Sequence, residues 1–295
     1  MAHSVVGIGE ALWDLLPSGR HLGGAPLNFC CVASQLGEWA IIASRIGADE
    51  LGRSLTQELQ RRKLETSHLQ MDPTLPTGTV SVTVLDGQPD YEIHEPVAWD
   101  ALEWTDDWQR LARSADAVCF GTLAQRSPTS RETIGRFLQN TRPDCLRVFD
   151  INLRQKFYSR ELIEQSLELA TVAKLNEAEL GELATMLALD GRRGQSGLGG
   201  RNSLNEKTIE FQLQELICRY GLILVCLTRG ERGSVLASAD RVIGHPGIKV
   251  QVKDTIGAGD AFTAAVTHGL LNKCTLEEIS ERANRWAAEA ISNKQ

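Results

Sequence analysis

The sequence predicts an α/β fold: a doubly wound, mostly parallel sheet with helices on both faces, plus a small separate β-sheet. Three observations carry this. Short apolar runs alternate with longer helical patterns along most of the 295 residues, which is the rhythm of strand–helix–strand units. The last two helical patterns, 258–271 and 276–292, follow one another with no strand between. One stretch, 77–96, breaks the rhythm by alternating β-branched and polar residues, as a half-exposed sheet requires.

Taken in order, the first strand is "SVVGI" (4–8), apolar on both faces as a central parallel strand must be. "WDLLPSG" (13–19) and "HLGG" (21–24) follow and are expected to pair with the irregular 77–96 stretch. Gly23-Gly24 and Pro26 then start a helix over 25–36, since proline suits a first turn. Further strands are expected at 40–45, 116–121, 146–150, 171–175, 222–227 and 234–238. Helices are expected at 50–63, 129–140, 161–170, 177–188 and 210–220. Within 77–96, Asp86-Gly87 marks a hairpin turn. Segments 10–24 and 76–98 together read as a lid over the strand ends, in a chain that otherwise forms one domain, 1–295. "DGRRGQSGLGGRNS" (190–203) reads as a mobile Gly- and Arg-rich loop.

Composition narrows the function. A net charge of −7 and a pI near 5.5 argue against a nucleic-acid partner, whose footprint would be a basic face. "LILVCL" (222–227) is far too short to span a bilayer. The start, "MAHSVVGIGEALWD", has neither the basic end nor the apolar stretch of a signal peptide. Seven cysteines without a C-x-x-C pair read as reduced, buried thiols. The expectation is a cytoplasmic globule.

The motif that raises a chemical question is "DTIGAGDAF" (254–262). Gly257, Ala258 and Gly259 run into Asp260 at the start of an apolar helix. An acid in a first turn is ordinary. A side-chain-free loop before a helix also offers free N–H groups to an anion such as phosphate. A carboxylate beside that cradle has a natural task there: general-base activation of a nucleophile that attacks the phosphate.

Other candidates fall at predicted strand ends, where this fold class keeps its ligands. Asp14 is an acid within a strand-like run, placed to accept hydrogen bonds from substrate hydroxyls if 10–24 is a lid. Gly23, Gly24 and Asn28 bring backbone N–H groups and an amide suited to vicinal hydroxyls. Asp150, Asn152 and Arg154 follow an apolar strand, and Arg154 is a holder for phosphate or substrate. Lys174, Asn176 and Glu179 lie at the next strand end, where Asn176 also reads as a helix cap. Thr228 and Gly230 follow the strand after that. Gly7 and Gly9 invite a dinucleotide reading, but Leu12 stands where G-x-G-x-x-G needs its third glycine and no helix follows. There is no Walker motif, no H-E-x-x-H, and no histidine pattern for a metal.

The chain resembles the ribokinase-like, or PfkB, family of carbohydrate kinases. "DTIGAGDAF" is similar to the family's C-terminal signature, "GGAPLNFCCVASQLG" to its N-terminal one, and "KLNEAEL" to its Asn-x-x-Glu motif. The likeness runs from about residue 4 to about 291, and "GEALWDLLP", "YEIHEPVAWD" and "DINLR" look most like bacterial fructokinases. The resemblance implies ATP-dependent phosphorylation of a sugar hydroxymethyl group, with Asp260 as base and the 257–259 amides as anion hole. It implies that Asp14, Gly23, Gly24 and Asn28 hold the sugar. Lys174, Asn176 and Glu179 would organise the phosphates and the water shell of Mg²⁺, with Thr228, Gly230 and Asn284 around the nucleotide. Asp254 and Thr255 match a motif that contributes to a potassium site in many members, so K⁺ activation is expected. The partners implied are the sugar and ATP, in a monomer or a homodimer clasped through the lid.

The sequence departs from the family at Ile151, where proline is usual, at Lys253, and in the long basic 190–203 loop. A keto-acid acceptor, as in a 2-keto-3-deoxygluconate kinase, calls for a Tyr and an Arg reaching from the lid. Tyr91 is present, but its neighbours are His94 and Glu95 with no arginine, which favours a neutral sugar such as fructose over that alternative or a riboside. A non-catalytic sugar- or nucleotide-binding regulator on the same fold would have lost the base or the anion hole, and this chain keeps Asp260 and both glycines.

Overall fold

The computed structural model describes residues 2–16, 19–85, 88–189, 206–251 and 257–292, and the backbone alone for 82–91. Asp254, Thr255, the 86–87 turn and the 190–203 loop therefore lie outside the described residues, as does the Tyr91 side chain. The described strands form two sheets. The larger has nine strands: β1 (Ser4–Ile8), β4 (Trp39–Gly47), β5 (Leu69–Asp72), β8 (Ala117–Gly121), β9 (Leu146–Asp150), β10 (Val172–Asn176), β11 (Leu224–Thr228), β12 (Ser234–Ala237) and β13 (Val242–His245). Their order is β13-β12-β11-β10-β9-β8-β1-β4-β5. All neighbours are parallel except β11–β12 and β12–β13.

Helices cover both faces, and the strand alternation shows why. Val118 and Phe120 of β8, with Phe149 and Val225, pack in one core with α3 (Asp106–Ser114), α4 (Pro128–Gln139), α5 (Arg160–Leu169), α6 (Glu177–Leu187) and α7 (Glu206–Tyr220). Their neighbours Ala117 and Cys119, with Val148 and Leu224, face the other way. They pack with α1 (Ala25–Gln35), α2 (Glu50–Arg61), α8 (Ala258–Leu271) and α9 (Leu276–Ser292). Each large side chain so buried contributes about 1.5–3 kcal/mol, which is why the central strands read as unbroken apolar runs.

The small sheet contains β2 (Leu12–Leu16), β3 (Gly19–Gly23), β6 (Gly78–Leu85) and β7 (Gln88–Ile93), in the order β3-β2-β6-β7. β2 pairs antiparallel with β3 and parallel with β6. Besides the packing of Leu12, Val80 and Ile93 into the first core, hydrogen bonds among the described residues help tie it to the main body. The Trp13 indole N–H donates to the Leu51 carbonyl at 3.0 Å. Arg126, buried and stacked 4.0 Å from the Trp99 ring, donates to Asp100 at 2.7 and 2.8 Å and to the His94 carbonyl at 2.8 Å.

Three elements were not expected from the sequence. α3 buries only Trp108, Leu111 and Ala112 among its nine residues, and β5 and β13 are four-residue strands with polar members. α7 also begins at Glu206, earlier than position 210. Among the described residues no helix is long and apolar enough to cross a membrane.

Candidate active site

From β1 the order of strands runs one way to β4 and β5 and the other way to β8, β9 and β10, so the strand order reverses beside β1. Ligands bind outside the carboxyl ends of strands at such a switch. A cavity of about 670 Å³ lies there, roofed by Leu12, Asp14, Leu16, Val80 and Ile93 of the small sheet. Positions 12, 14 and 16 share one face of β2 because side chains alternate along a strand.

α8 aims its N-terminus into this cavity. Gly257 caps it with φ 83°, a left-handed conformation that glycine adopts without strain, and no side chain occupies the cap. The first N–H groups of a helix have no intrahelical partner and carry the positive end of its dipole. Gly259 meets a different demand: a Cβ there would stand 2.7 Å from the Lys174 Nζ. Lys174 rises from β10 and is held by both oxygens of Asp150 at 3.1 and 3.2 Å, and Thr263 of α8 donates to Asp150 at 2.9 Å. Burial works against the lysine's charge, yet the carboxylates of Asp150, Glu179 and Asp260 hold its pKa above the usual value.

Asp260 lies in the first turn of α8 and accepts a hydrogen bond from the Asn28 amide at 2.9 Å. Burial, joined by the nearby Asp150 charge, pushes its carboxyl up to about 6, against the pull of Lys174, Asn28 and Arg154. A carboxylate tuned this way is mostly ionised at neutral pH and still a competent proton acceptor.

On the small-sheet side, Asp14 lines the cavity and lies against Gly23, where a Cβ would come 2.4 Å from its Oδ2. Gly24 has φ 102° and leads into α1, whose first turn carries Asn28. Arg154 lines the cavity from the loop after β9, exposed. On the opposite side, Asn176 and Glu179 form a reciprocal capping box on α6. Glu179 accepts from the Asn176 N–H at 2.8 Å and the Leu153 N–H at 3.1 Å, and burial raises its pKa. Thr228 lines the cavity at the end of β11.

The structure thus brings Asp260, Gly257, Gly259, Asp14, Gly24, Asn28, Arg154, Lys174, Asn176, Glu179 and Thr228 to one cavity. Gly23, Ala258, Gly230 and Asn284 are not among the residues lining it. The buried Asn284 amide donates to Ser234 and to the Ser280 carbonyl, both at 2.8 Å, which locks α9 onto β12. Gly7, raised as a dinucleotide glycine, instead accommodates α1: a Cβ there would lie 2.4 Å from the Pro26 carbonyl oxygen. Two contributors to the site went unread in the sequence. Thr263, one turn beyond Asp260 and buried, does not line the cavity but donates to the Asp150 carboxylate that holds Lys174. Glu10 lies two residues past the end of β1, and that place at a carboxyl end of a strand was a signal in itself.

Residues 18–295 match the description "pfkB family carbohydrate kinase". The chain belongs to that family. Over its whole length it is 28% identical to an Escherichia coli fructokinase, of which it covers 95%. Among solved structures, it superposes on an uncharacterized sugar kinase from Pyrococcus horikoshii in complex with ATP with a TM-score of 0.80, at 26% identity over 99% of this chain and 93% of that one. A fructokinase from Vibrio cholerae O395 bound to fructose, ADP and calcium ion gives a TM-score of 0.78, at 25% identity over 99% of this chain and 94% of that one. The chain is therefore a carbohydrate kinase with the α/β architecture expected of it.

Proposed function

We propose that this kinase transfers the terminal phosphoryl group of ATP to a hydroxymethyl group of a neutral ketose, fructose being the first choice. The observation that carries the reading is Asp260, held by Asn28 at the glycine-bounded N-terminus of α8 and facing the same cavity as Asp14 and Glu179. Asp260 takes the proton of the attacking hydroxyl. The 257–259 amides, with Lys174 beside them, meet the charge that develops on the transferred group, and such preorganised donors carry much of the catalysis in phosphoryl transfer. Asp14, Gly23, Gly24 and Asn28 hold the sugar hydroxyls. The small sheet acts as a lid that keeps out water, the competing acceptor.

The nucleotide side falls to Lys174, Asn176, Glu179 and Thr228. Among the described residues no group of three or more His, Cys, Asp or Glu side chains is arranged to chelate a metal. That fits Mg²⁺, which arrives with nucleotide phosphates and keeps its waters, and Glu179 would hold that water shell. When bound, the ion neutralises phosphate charge. ATP supply puts the enzyme in the cytoplasm, and K⁺ activation through Asp254 and Thr255 remains part of the proposal.

A second reading has one observation in its favour. The exposed Arg154 guanidinium in the cavity suits an acceptor that carries a carboxylate, such as 2-keto-3-deoxygluconate. Against it, the sugar side presents Asp14 and Asp260, which repel an anion. Coupled ADP release with ATP, Mg²⁺ and K⁺, across fructose, ribose, 2-keto-3-deoxygluconate and adenosine, separates the readings. Highest kcat/KM for fructose supports the proposal. Preference for the keto acid replaces it with the second reading.

A further inference from the structure

Glu10 stands where the chain leaves β1 for the small sheet, and its side chain is buried, with 2% of the residue exposed. One carboxylate oxygen accepts the Ala25 N–H at 3.3 Å, the first residue of α1. The other has no hydrogen-bond partner among the described residues. Gly24, the residue that would normally cap α1, contributes no side-chain bond. It has no room to do so, because a Cβ at that position would come 2.4 Å from the Glu10 carbonyl oxygen. Glu10 thus caps the helix from another element. The same first turn continues inward: the Asn28 N–H donates to the Gly24 carbonyl at 2.9 Å, and the Asn28 amide to Asp260 at 2.9 Å.

A buried acid with one oxygen unpaired is costly to keep. Burial accordingly drives its pKa up to about 7. Its place at the cavity wall, touching both the lid root and the sugar-facing turn, accounts for that cost. We propose that Glu10 is a positioning residue for the sugar half of the site: it joins the root of the small sheet to the first turn of α1 and so fixes Asn28 and, through it, the Asp260 carboxylate. The inference rests on reading this side of the cavity as the sugar site.

The role depends on reach more than on charge, which sets the test. Glu10→Gln keeps an oxygen at the distance of the Ala25 N–H but removes the charge. Glu10→Asp keeps the charge but withdraws the oxygen by one methylene, and Glu10→Ala removes both. With the favoured sugar, Asp and Ala are expected to raise the sugar KM about tenfold, to lower kcat as the Asp260 carboxylate loses its placement, and to leave the ATP KM unchanged. Gln is expected to restore the sugar KM. Hydrogen exchange across 24–28 should quicken in Asp and Ala, relative to α9, and not in Gln, and this readout needs no substrate. Unchanged exchange at 24–28 in the Asp variant overturns the proposal. So does a normal Asp variant beside an impaired Gln, or an equal rise of both KM values. Absence of wild-type turnover on every sugar would count against the sugar reading alone, and the exchange comparison would still decide the positioning role.

Discussion

Gly259→Ala adds one methyl group at the most crowded point of the proposed anion hole. Its Cβ would stand 2.7 Å from the Lys174 Nζ, whereas carbon and nitrogen rest comfortably near about 3.5 Å, so the amine must retreat by about 0.8 Å. It has little freedom to do so. Both its bonds to Asp150 are already at 3.1 and 3.2 Å, and the same retreat takes them out of hydrogen-bond range. Displacements of about 1 Å at a catalytic group cost about 10²-fold in rate, equivalent to about 2.7 kcal/mol of transition-state stabilisation. Stability should suffer less. Alanine in a helix gains about 0.5–1 kcal/mol over glycine, against about 1–3 kcal/mol for overpacking, so the net loss is no more than about 2.5 kcal/mol. Coupled ADP release and urea unfolding measure the two quantities on the same preparation. A folded Gly259→Ala enzyme with wild-type kcat/KM would refute the placement of Lys174 against the α8 N-terminus as a catalytic feature.

Asp260→Asn should lose most of its activity yet be more stable at pH 7.5. Its folded pKa, about 6, lies above the ordinary 3.8, so the native state holds its proton more tightly than the unfolded chain. This group's contribution therefore worsens as pH rises from 3.8 to 6, by about 1–3 kcal/mol. The amide should melt higher than wild type at pH 7.5, with the gap closing below pH 4. The same acid should give wild-type kcat/KM an acid limb near pH 6. Asn28→Ala removes a donor that lowers this pKa, so its pH–rate profile should show that limb moved to higher pH. Arg126→Met leaves the Asp100 carboxylate and the His94 carbonyl without their buried partner and should cost about 3–5 kcal/mol in urea unfolding.

The central strands were legible because burial on both faces leaves little but apolar residues. "DAVCFG", "LRVFD" and "LILVCL" fall within two residues of the observed β8, β9 and β11. The edges were not. β13 and β5 are short and partly polar, and α3 hides three buried residues among charged ones. The small sheet was readable as a hairpin with 13–24 pairing beside it, and β2 does pair with β6; only the parallel sense of that pairing, between segments far apart in the chain, has no local signature. At the site, a strand end says that a residue is near the cavity and not which way it faces. Asn176 was readable as a helix cap, and the structure joins it to Glu179 in a reciprocal capping box. The Lys174–Asp150 pair, formed across β9 and β10, and the Glu10 bond to α1 depend on register and helix docking. Asn284, matched by resemblance, does not line this cavity, and its amide N–H groups are engaged by Ser234 and Ser280.

The most direct test of the account is ADP release by Asp260→Asn against wild type, with ATP, Mg²⁺, K⁺ and saturating fructose. General-base loss is expected to lower kcat by about 10²–10⁴-fold, while ATP binding measured calorimetrically is unchanged and the protein stays folded. An Asp260→Asn enzyme that turns over fructose at the wild-type rate would contradict the assignment of the base, and with it the reading of the α8 N-terminus as the catalytic centre.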